Sequence, residues 1–272
     1  MNGDHALRQS YEQVLQRIQH ACASAGRPAG SVRLLAVSKS VPAARILDLA
    51  ALGQRAFGEN YLQEALDKIA ACRDGRSVTA AGRSAPLERP QPPGPLEWPE
   101  RPKLLEWHFI GPIQSNKTRP IAEHFDWVHS VEREKVARRL AEQRPDGLAP
   151  LNLCLQVNVS GEASKSGVAP DEALELALAV AALPRVRLRG LMAIPEPTRD
   201  VALQRARFAV LGQLRERIRG ALAADAASSF DTLSMGMSAD LESAVMEGAT
   251  IVRVGSALFG ARPAKQAVSP ST

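Results

Sequence analysis

Short apolar segments alternate with longer segments of mixed polarity along most of the chain. The apolar segments are only a few residues long and are rich in Val, Leu and Ile, which is typical of strands buried on both faces of a sheet. They predict eight strands, at residues 32–38, 56–58, 107–111, 127–130, 151–159, 188–194, 232–235 and 251–254.

The segments between these strands carry apolar residues at helical spacing. They predict helices at residues 43–52, 62–71, 117–124, 132–143, 170–183, 200–224 and 239–247, and an additional N-terminal helix at residues 11–25. Strands that alternate with helices pair in parallel through right-handed crossovers. The pattern therefore predicts an α/β fold, a single (β/α)₈ barrel of the TIM type. An open doubly wound sheet is the alternative, although no GxGxxG motif follows the first strand.

One segment departs from this alternation. Residues 73–103 contain seven prolines together with Gly, Ser and Arg, a composition that forms neither a helix nor a central strand. We interpret the segment as a flexible, disordered Pro-rich insertion in one barrel domain spanning residues 1–265. Residues 266–272 are predicted to form a disordered tail.

The composition of the 272 residues narrows the classes of function. The net charge is +5 and the basic residues are interleaved with acids on predicted helices, so we expect no nucleic-acid partner. No apolar stretch reaches the roughly 18 residues of a membrane span, so we expect no membrane partner. The three cysteines are far apart and form no CxxC motif. That argues against a disulfide framework or a structural metal site and fits a reducing cytoplasm.

Lys39 is the first candidate for chemistry, because it lies at the end of the first predicted strand. An ammonium group at the tip of a buried strand is costly, and desolvation favours the neutral amine that attacks carbonyl groups. The alternative is an ordinary lysine whose side chain extends into solvent.

The loops after the seventh and eighth strands are the second candidate, because such barrels often bind phosphate there. These loops contain Ser234 and Gly236, and Gly255 and Ser256. Hydroxyl groups, and glycines that allow close backbone approach, suit a phosphate group. The alternative is a turn capped by Ser238, which would form without any ligand.

Three further polar residues lie in or near the predicted strands. Arg253 interrupts an apolar strand and could hold an anion or face a ring nitrogen, which it would keep unprotonated. Alternatively, Arg253 pairs with a carboxylate on an outer helix. Asn60 could orient a ligand hydroxyl or cap a turn. His108 lies mid-strand and is interpreted as a structural histidine whose ring nitrogens are both satisfied.

Seven stretches of the sequence together resemble the YggS/PROSC family of pyridoxal phosphate homeostasis proteins. They are residues 34–39 (LLAVSK), 57–64 (FGENYLQE), 107–117 (WHFIGPIQSNK), 164–167 (SKSG), 189–195 (RGLMAIP), 233–238 (LSMGMS) and 252–260 (VRVGSALFG). The stretches extend over nearly the whole chain, and the insertion is the main departure from the family.

This resemblance implies a barrel similar to the N-terminal domain of alanine racemase, with pyridoxal 5′-phosphate (PLP) held as a Schiff base, an internal aldimine, on Lys39. It implies a role in the intracellular homeostasis of PLP and of amino- and keto-acid pools. The ligands expected from it are PLP and other B6 vitamers, and a monomer is expected. The remaining implied contacts are Arg253 at the pyridine nitrogen, Ser234, Gly255 and Ser256 at the phosphate, and Asn60 and Gly236 as neighbours of the cofactor.

The sequence also argues against robust catalysis. Racemisation needs acid–base groups on both faces of the substrate carbon, and Lys39 could serve only one face. In alanine racemase a tyrosine of the partner subunit serves the other. The tyrosines of this chain are Tyr11 and Tyr61, both assigned to predicted helices. We therefore expect no catalytic residue.

Three alternatives to a PLP-binding regulatory protein remain open. The first is a true PLP enzyme, an amino-acid racemase or decarboxylase. The second is a Schiff-base aldolase that lacks PLP and binds a sugar phosphate. The third is a scaffold that recruits partners through the Pro-rich insertion.

Overall fold

The computed structural model describes residues 2–74, 76–78, 84–86, 105–161 and 166–260. Eight parallel strands close into a barrel, and helices alternate with these strands along the chain. The predicted (β/α)₈ fold is therefore confirmed, and the alternative of an open sheet is excluded.

The barrel strands follow one another in chain order around the barrel, and the last one closes against the first. They are β1 (Arg33–Val37), β2 (Ala56–Glu59), β5 (Glu106–Phe109), β6 (Trp127–Val131), β7 (Leu151–Gln156), β8 (Val186–Met192), β9 (Thr232–Ser234) and β10 (Ile251–Val254), while β3 (Arg76–Val78) and β4 (Ser84–Pro86) form a separate antiparallel pair. At the closure, Leu35 on β1 lies opposite Arg253 on β10.

Helices connect the strands, and most of them have bounds within three residues of the predicted ones. They are α1 (Asn2–Ser24), α2 (Ala43–Ala51), α3 (Leu62–Asp74), α4 (Thr118–His124), α5 (Glu134–Gln143), α6 (Ala173–Ala181), α7 (Val201–Ala221), α8 (Ala224–Ser229), α9 (Leu241–Met246) and α10 (Ser256–Phe259).

Two helical predictions differ from the structure. α1 begins at Asn2 rather than at residue 11, and its buried stripe already includes Leu7. Polar residues surround Leu7 in the sequence and weaken the apolar periodicity there. The single helix predicted at residues 200–224 is instead α7 and α8, because Leu222 and Ala223 adopt extended backbone between them.

The predicted insertion falls mostly outside the described residues. Within it the structure describes the end of α3 and the short strands β3 and β4, which pair with each other and not with the barrel. The prediction of disorder for the rest of residues 73–103 lies outside the described part of the chain, as does the predicted tail at residues 266–272.

The strands alternate between two environments. Leu34 and Ala36 pack outward into the large apolar cluster shared with the helices. Leu35, between them, packs inside the barrel with Ile110 and Ile251. Several other inward positions carry buried polar side chains, namely His108, His129, Ser234 and Arg253.

Within the described residues, no helix is long and apolar enough to cross a membrane. The same ranges contain no group of three or more His, Cys, Asp or Glu side chains that could hold a metal ion.

Candidate functional site

Lys39 lies two residues beyond the end of β1, at the mouth formed by the C-terminal ends of the strands. Leu35 and Val37 pack inside the barrel, and Lys39 is the next residue in the same alternation along the sequence. Its side chain is half-buried. The next residue, Ser40, has a positive φ of 62°, which is uncommon for any residue except glycine. The chain therefore turns sharply immediately after Lys39.

A buried cluster on the outer side of β1 supports this turn. The backbone oxygen of Ser38 accepts hydrogen bonds from the Val41 amide at 3.0 Å and from Lys68 Nζ at 2.7 Å. Lys68 Nζ also lies 2.9 Å from Glu59 Oε1, and Ser38 Oγ donates to the same oxygen at 2.6 Å. Lys68 is 6% exposed and Glu59 is fully buried. The cluster thus joins the ends of β1 and β2 to α3.

The sequence alone does not reveal this cluster. Burial raises the pKa of Glu59, while the Lys68 ammonium and the Ser38 hydroxyl oppose that effect. The available signal was Glu59 itself, a carboxylate directly after the apolar Ala56–Gly58 segment. Its partner Lys68 could not be chosen from the sequence, because α3 also presents other polar side chains.

Arg253 points into the barrel and is 4% exposed. Its Nη1 donates to the Ser234 backbone oxygen at 2.6 Å and to Ser234 Oγ at 2.9 Å, and its Nη2 donates to the Ala193 backbone oxygen at 2.9 Å. The alternative in which Arg253 pairs with an outer helix is therefore wrong. Burial lowers the pKa of Arg253 to about 10, although the nearby Asp240 carboxylate opposes the shift.

Two histidines extend the hydrogen bond between Arg253 and Ser234 through the barrel interior. His129 Nδ1 lies 2.8 Å from Ser234 Oγ, and His129 Nε2 lies 2.8 Å from His108 Nδ1. His108 Nε2 lies 2.5 Å from Glu106 Oε1, at the start of β5. Both ring nitrogens of His108 are satisfied, as predicted. His129 and Glu106 could not be chosen from the sequence, because their partners become apparent only in the closed barrel.

Burial favours the neutral form of both histidines. It lowers the pKa of His108 despite the opposing effect of Glu106, and it lowers the pKa of His129 well below its ordinary value, with His108 and Arg253 adding to the effect. Burial alone would raise the pKa of the Glu106 carboxyl. His108, through its hydrogen bond, and the Arg33 guanidinium outweigh burial and lower this pKa to about 2.

The loops after β9 and β10 meet at the same mouth. Ser256 Oγ lies 3.3 Å from Ser238 Oγ, so each loop contributes a hydroxyl to one place. Gly236 has a φ of 91°, and a Cβ there would lie 2.5 Å from the Ala244 side chain. Only glycine fits that position. Gly255 immediately precedes Ser256, the first residue of α10.

Helix α1 holds the loop after β9 from outside. Arg17 donates from Nε to Glu242 Oε1 at 2.7 Å and from Nη2 to Glu242 Oε2 at 2.9 Å. The same Nη2 donates to the Ser238 backbone oxygen at 3.0 Å. The additional N-terminal helix is therefore connected to the loop that presents Gly236.

Asn60 lies directly after β2, and its Oδ1 is buried without a hydrogen-bond partner. Its backbone is in close contact with the loop after β5, because a Cβ on Gly111 would lie 2.0 Å from the Asn60 backbone oxygen. An acceptor buried without a partner is costly, which distinguishes Asn60 from most of the buried polar side chains in the described ranges.

The predicted site residues occupy four neighbouring strands of the barrel and the loops after them. The strands stand in the order β2, β1, β10 and β9. In the same order they carry Asn60, then Lys39, then Arg253 with Gly255 and Ser256, and finally Ser234 with Gly236. Residues far apart in sequence therefore meet along one side of the mouth.

Comparison with known proteins identifies relatives over most of the chain. Residues 13–263 match the family described as the alanine racemase N-terminal domain. A pyridoxal phosphate homeostasis protein from Pseudomonas aeruginosa is 56% identical over 256 residues, which cover 94% of this chain and 96% of that protein. A protein of the same name from Vibrio cholerae is 45% identical over 257 residues, covering 94% and 97% respectively.

A solved structure resembles the chain closely as well. PipY from Synechococcus elongatus, in a structure with PLP bound, is 35% identical and superposes with a TM-score of 0.67. The similarity covers 89% of this chain and all of the PipY chain.

Proposed function

The chain belongs to the pyridoxal phosphate homeostasis protein family, built on the alanine racemase N-terminal domain, and from this premise we propose that it binds PLP at the barrel mouth. Its role is the intracellular homeostasis of PLP and of amino- and keto-acid pools. We further propose a cytoplasmic, monomeric protein that also accepts other B6 vitamers.

The main support for this proposal is that the candidate residues lie on four adjacent strands and the loops after them. PLP supplies an aldehyde that a lysine amine can bind as a Schiff base, and a ring that can accept electrons. Lys39 offers the amine, and Arg253 lies on the neighbouring strand. Asn60 offers an acceptor that lacks a partner within the protein. The residues present therefore fit the cofactor.

Arg253 suits a neutral pyridine nitrogen. A guanidinium group only donates hydrogen bonds and stays charged, so a ring nitrogen that faces it must accept and remains unprotonated. An unprotonated ring withdraws electrons less strongly than a pyridinium ring does. This contact favours holding the cofactor over using it as a strong electron sink.

The phosphate is assigned to the loops after β9 and β10. Gly255, Ser256 and the loop around Gly236 offer backbone amides and hydroxyls close together. Ser234 contributes differently from the role that the resemblance implied, because its buried hydroxyl already contacts His129 and Arg253. We therefore propose that Ser234 serves the cofactor by holding Arg253.

The tyrosines support a protein without robust catalysis. Tyr11 is buried in α1, and its hydroxyl points towards Gln54 at 3.5 Å. Tyr61 precedes α3 instead of lying within it, and 55% of it is exposed, so little of its side chain is held by packing. Neither provides a fixed acid opposite Lys39. Exchange of the substrate α-hydrogen for deuterium at rates typical of enzymes would instead favour the racemase alternative.

The direct test is the visible spectrum of the purified protein before and after borohydride. The wild-type protein should show the absorbance band of a Schiff base, and borohydride should remove the band and leave PLP attached to Lys39 by mass spectrometry. The Lys39→Ala variant should lack the band, because the proposed Schiff base forms on the Lys39 amine.

Lys135→Ala is the matched control, since Lys135 is an exposed lysine on α5. It should retain the band. A wild-type protein that stays colourless after PLP is added would contradict the proposal. If borohydride attaches a substrate to Lys39 and mass spectrometry finds no PLP, the aldolase alternative is favoured.

A further inference from the structure

An unbroken chain of hydrogen bonds crosses the barrel interior from its N-terminal end to the cofactor side. It runs from Glu106 through His108, His129 and Ser234 to Arg253, and its four links measure 2.5, 2.8, 2.8 and 2.9 Å. The three middle residues are fully buried. Of these four hydrogen bonds, only the one between Ser234 and Arg253 belongs to the contacts proposed to support PLP.

The two ends of this chain differ in what they can do. A carboxylate only accepts hydrogen bonds, and a guanidinium only donates them. Each neutral imidazole and each hydroxyl offers one donor and can accept as well. The hydrogen-bond chain therefore has a fixed acceptor at Glu106 and a fixed donor at Arg253.

With neutral histidines, these end groups allow one arrangement of hydrogens. Glu106 requires a hydrogen on His108 Nε2, which leaves Nδ1 as an acceptor. His129 must then donate from Nε2 and accept at Nδ1 from the Ser234 hydroxyl. Ser234 Oγ in turn accepts from Arg253. Every donor thus points away from Arg253 and towards Glu106.

We propose that Glu106 is a positioning residue for the cofactor site, because it fixes the direction of this chain and so keeps Ser234 Oγ as an acceptor for Arg253. The inference rests on the proposed function, since Arg253 matters through the cofactor that it faces. If the direction were lost, the Ser234 hydroxyl hydrogen could turn towards Arg253. The guanidinium would then lose one of the contacts that hold its plane.

Glu106→Gln is the informative variant. A glutamine side chain keeps the size of Glu106 but can both donate and accept, so both directions of the chain become possible. Glu106 lies at the start of a strand with 31% of its side chain exposed, so the variant should fold. Arg33→Gln is the matched control, because it removes the charge that contacts Glu106 and leaves the carboxylate in place.

The first measurement uses protein without PLP. NMR of ¹⁵N-labelled histidines at pH 8 should show His108 and His129 of the wild type each with a hydrogen on Nε2 alone. Glu106→Gln should populate a second tautomer of His108, and Arg33→Gln should not. A hydrogen on Nδ1 of either histidine in the wild type, or a single tautomer in Glu106→Gln, would overturn the proposal.

The second measurement is PLP retention and the position of the Schiff-base band. Glu106→Gln should shift the band and weaken PLP binding by about three- to tenfold, whereas Arg33→Gln should stay within about twofold of the wild type. Equal effects of both variants would overturn the proposal, since loss of the ion pair between Arg33 and Glu106 would then explain them. A wild type that does not bind PLP would refute the proposed function, while the tautomers still decide the direction of the chain.

Discussion

At the scale of single residues, Arg253 is the least expected feature of the barrel. Layers of branched apolar side chains usually fill such an interior, and taking a guanidinium out of water is costly. Here its hydrogen bonds run to two backbone oxygens and one hydroxyl, and burial lowers its pKa to about 10. These contacts orient the group without neutralising it, as contact with a ring nitrogen requires.

Arg253→Gln tests that role. Glutamine can still donate to one of the backbone oxygens, so we expect the protein to fold with a loss of about 1–3 kcal/mol in the free energy of unfolding. PLP retention should fall by about tenfold or more and the absorbance band should shift, as followed by dialysis and visible spectroscopy. The control is Arg189→Gln, because Arg189 forms an ion pair with Asp231 beside the start of β9. Unfolding of Arg253→Gln in circular dichroism would make Arg253 a structural residue.

The sequence predicted where the candidate residues lie relative to the strands. Lys39, Arg253 and the glycines of the two loops follow from the positions of β1, β9 and β10. His129 and Glu106 could not be found in this way, because their roles depend on contacts with side chains of other strands. Cross-strand contacts such as that of His129 with Ser234, 105 residues apart, need the closed barrel to bring them together.

At the scale of elements, the ends of β1 and β2 are fixed to α3 by Lys68. This ammonium contacts Glu59, Glu64 and the Ser38 backbone oxygen. Ser38 immediately precedes Lys39, so the position of this lysine depends on contacts with α3. The element boundaries were predictable to within a few residues for the strands. The break between α7 and α8 was not, because no proline marks it.

Lys68→Met should destabilise the protein strongly. It leaves Glu59 buried without its countercharge, and removing one partner of a buried ion pair typically costs about 3–5 kcal/mol. The double variant Lys68→Met with Glu59→Gln should recover much of that loss, because the uncompensated charge is gone. Urea unfolding measures the free energies of unfolding of the single and the double variant. The control is Lys135→Met, on the exposed face of α5. Additive losses in the double variant would show that Lys68 and Glu59 act independently.

At the scale of the whole molecule, the hydrogen-bond chain connects the two ends of the barrel. Arg33 and Glu106 lie at the starts of their strands, and Arg253 faces the opposite end. The polar interior makes the stability of the fold depend on the charge of Glu106. The sequence predicted a closed barrel from eight apolar segments. It gave no indication that polar contacts cross its centre, since each polar residue looked isolated within its own strand.

The pH dependence of unfolding should report the charge of Glu106. The pKa of this carboxyl is about 2 in the folded protein and about 4.5 ordinarily. Because the folded value is the lower one, the ionised carboxylate stabilises the fold above pH 4.5, and this contribution disappears as the pH falls towards 2. Glu106→Gln lacks it, so the free energy of unfolding of the wild type should exceed that of the variant by about 3 kcal/mol at pH 7. Urea unfolding at pH 7, 5, 4 and 3 should show the difference shrinking below pH 4.5, and a difference that stays constant would mean that Glu106 is not held ionised by His108 and Arg33.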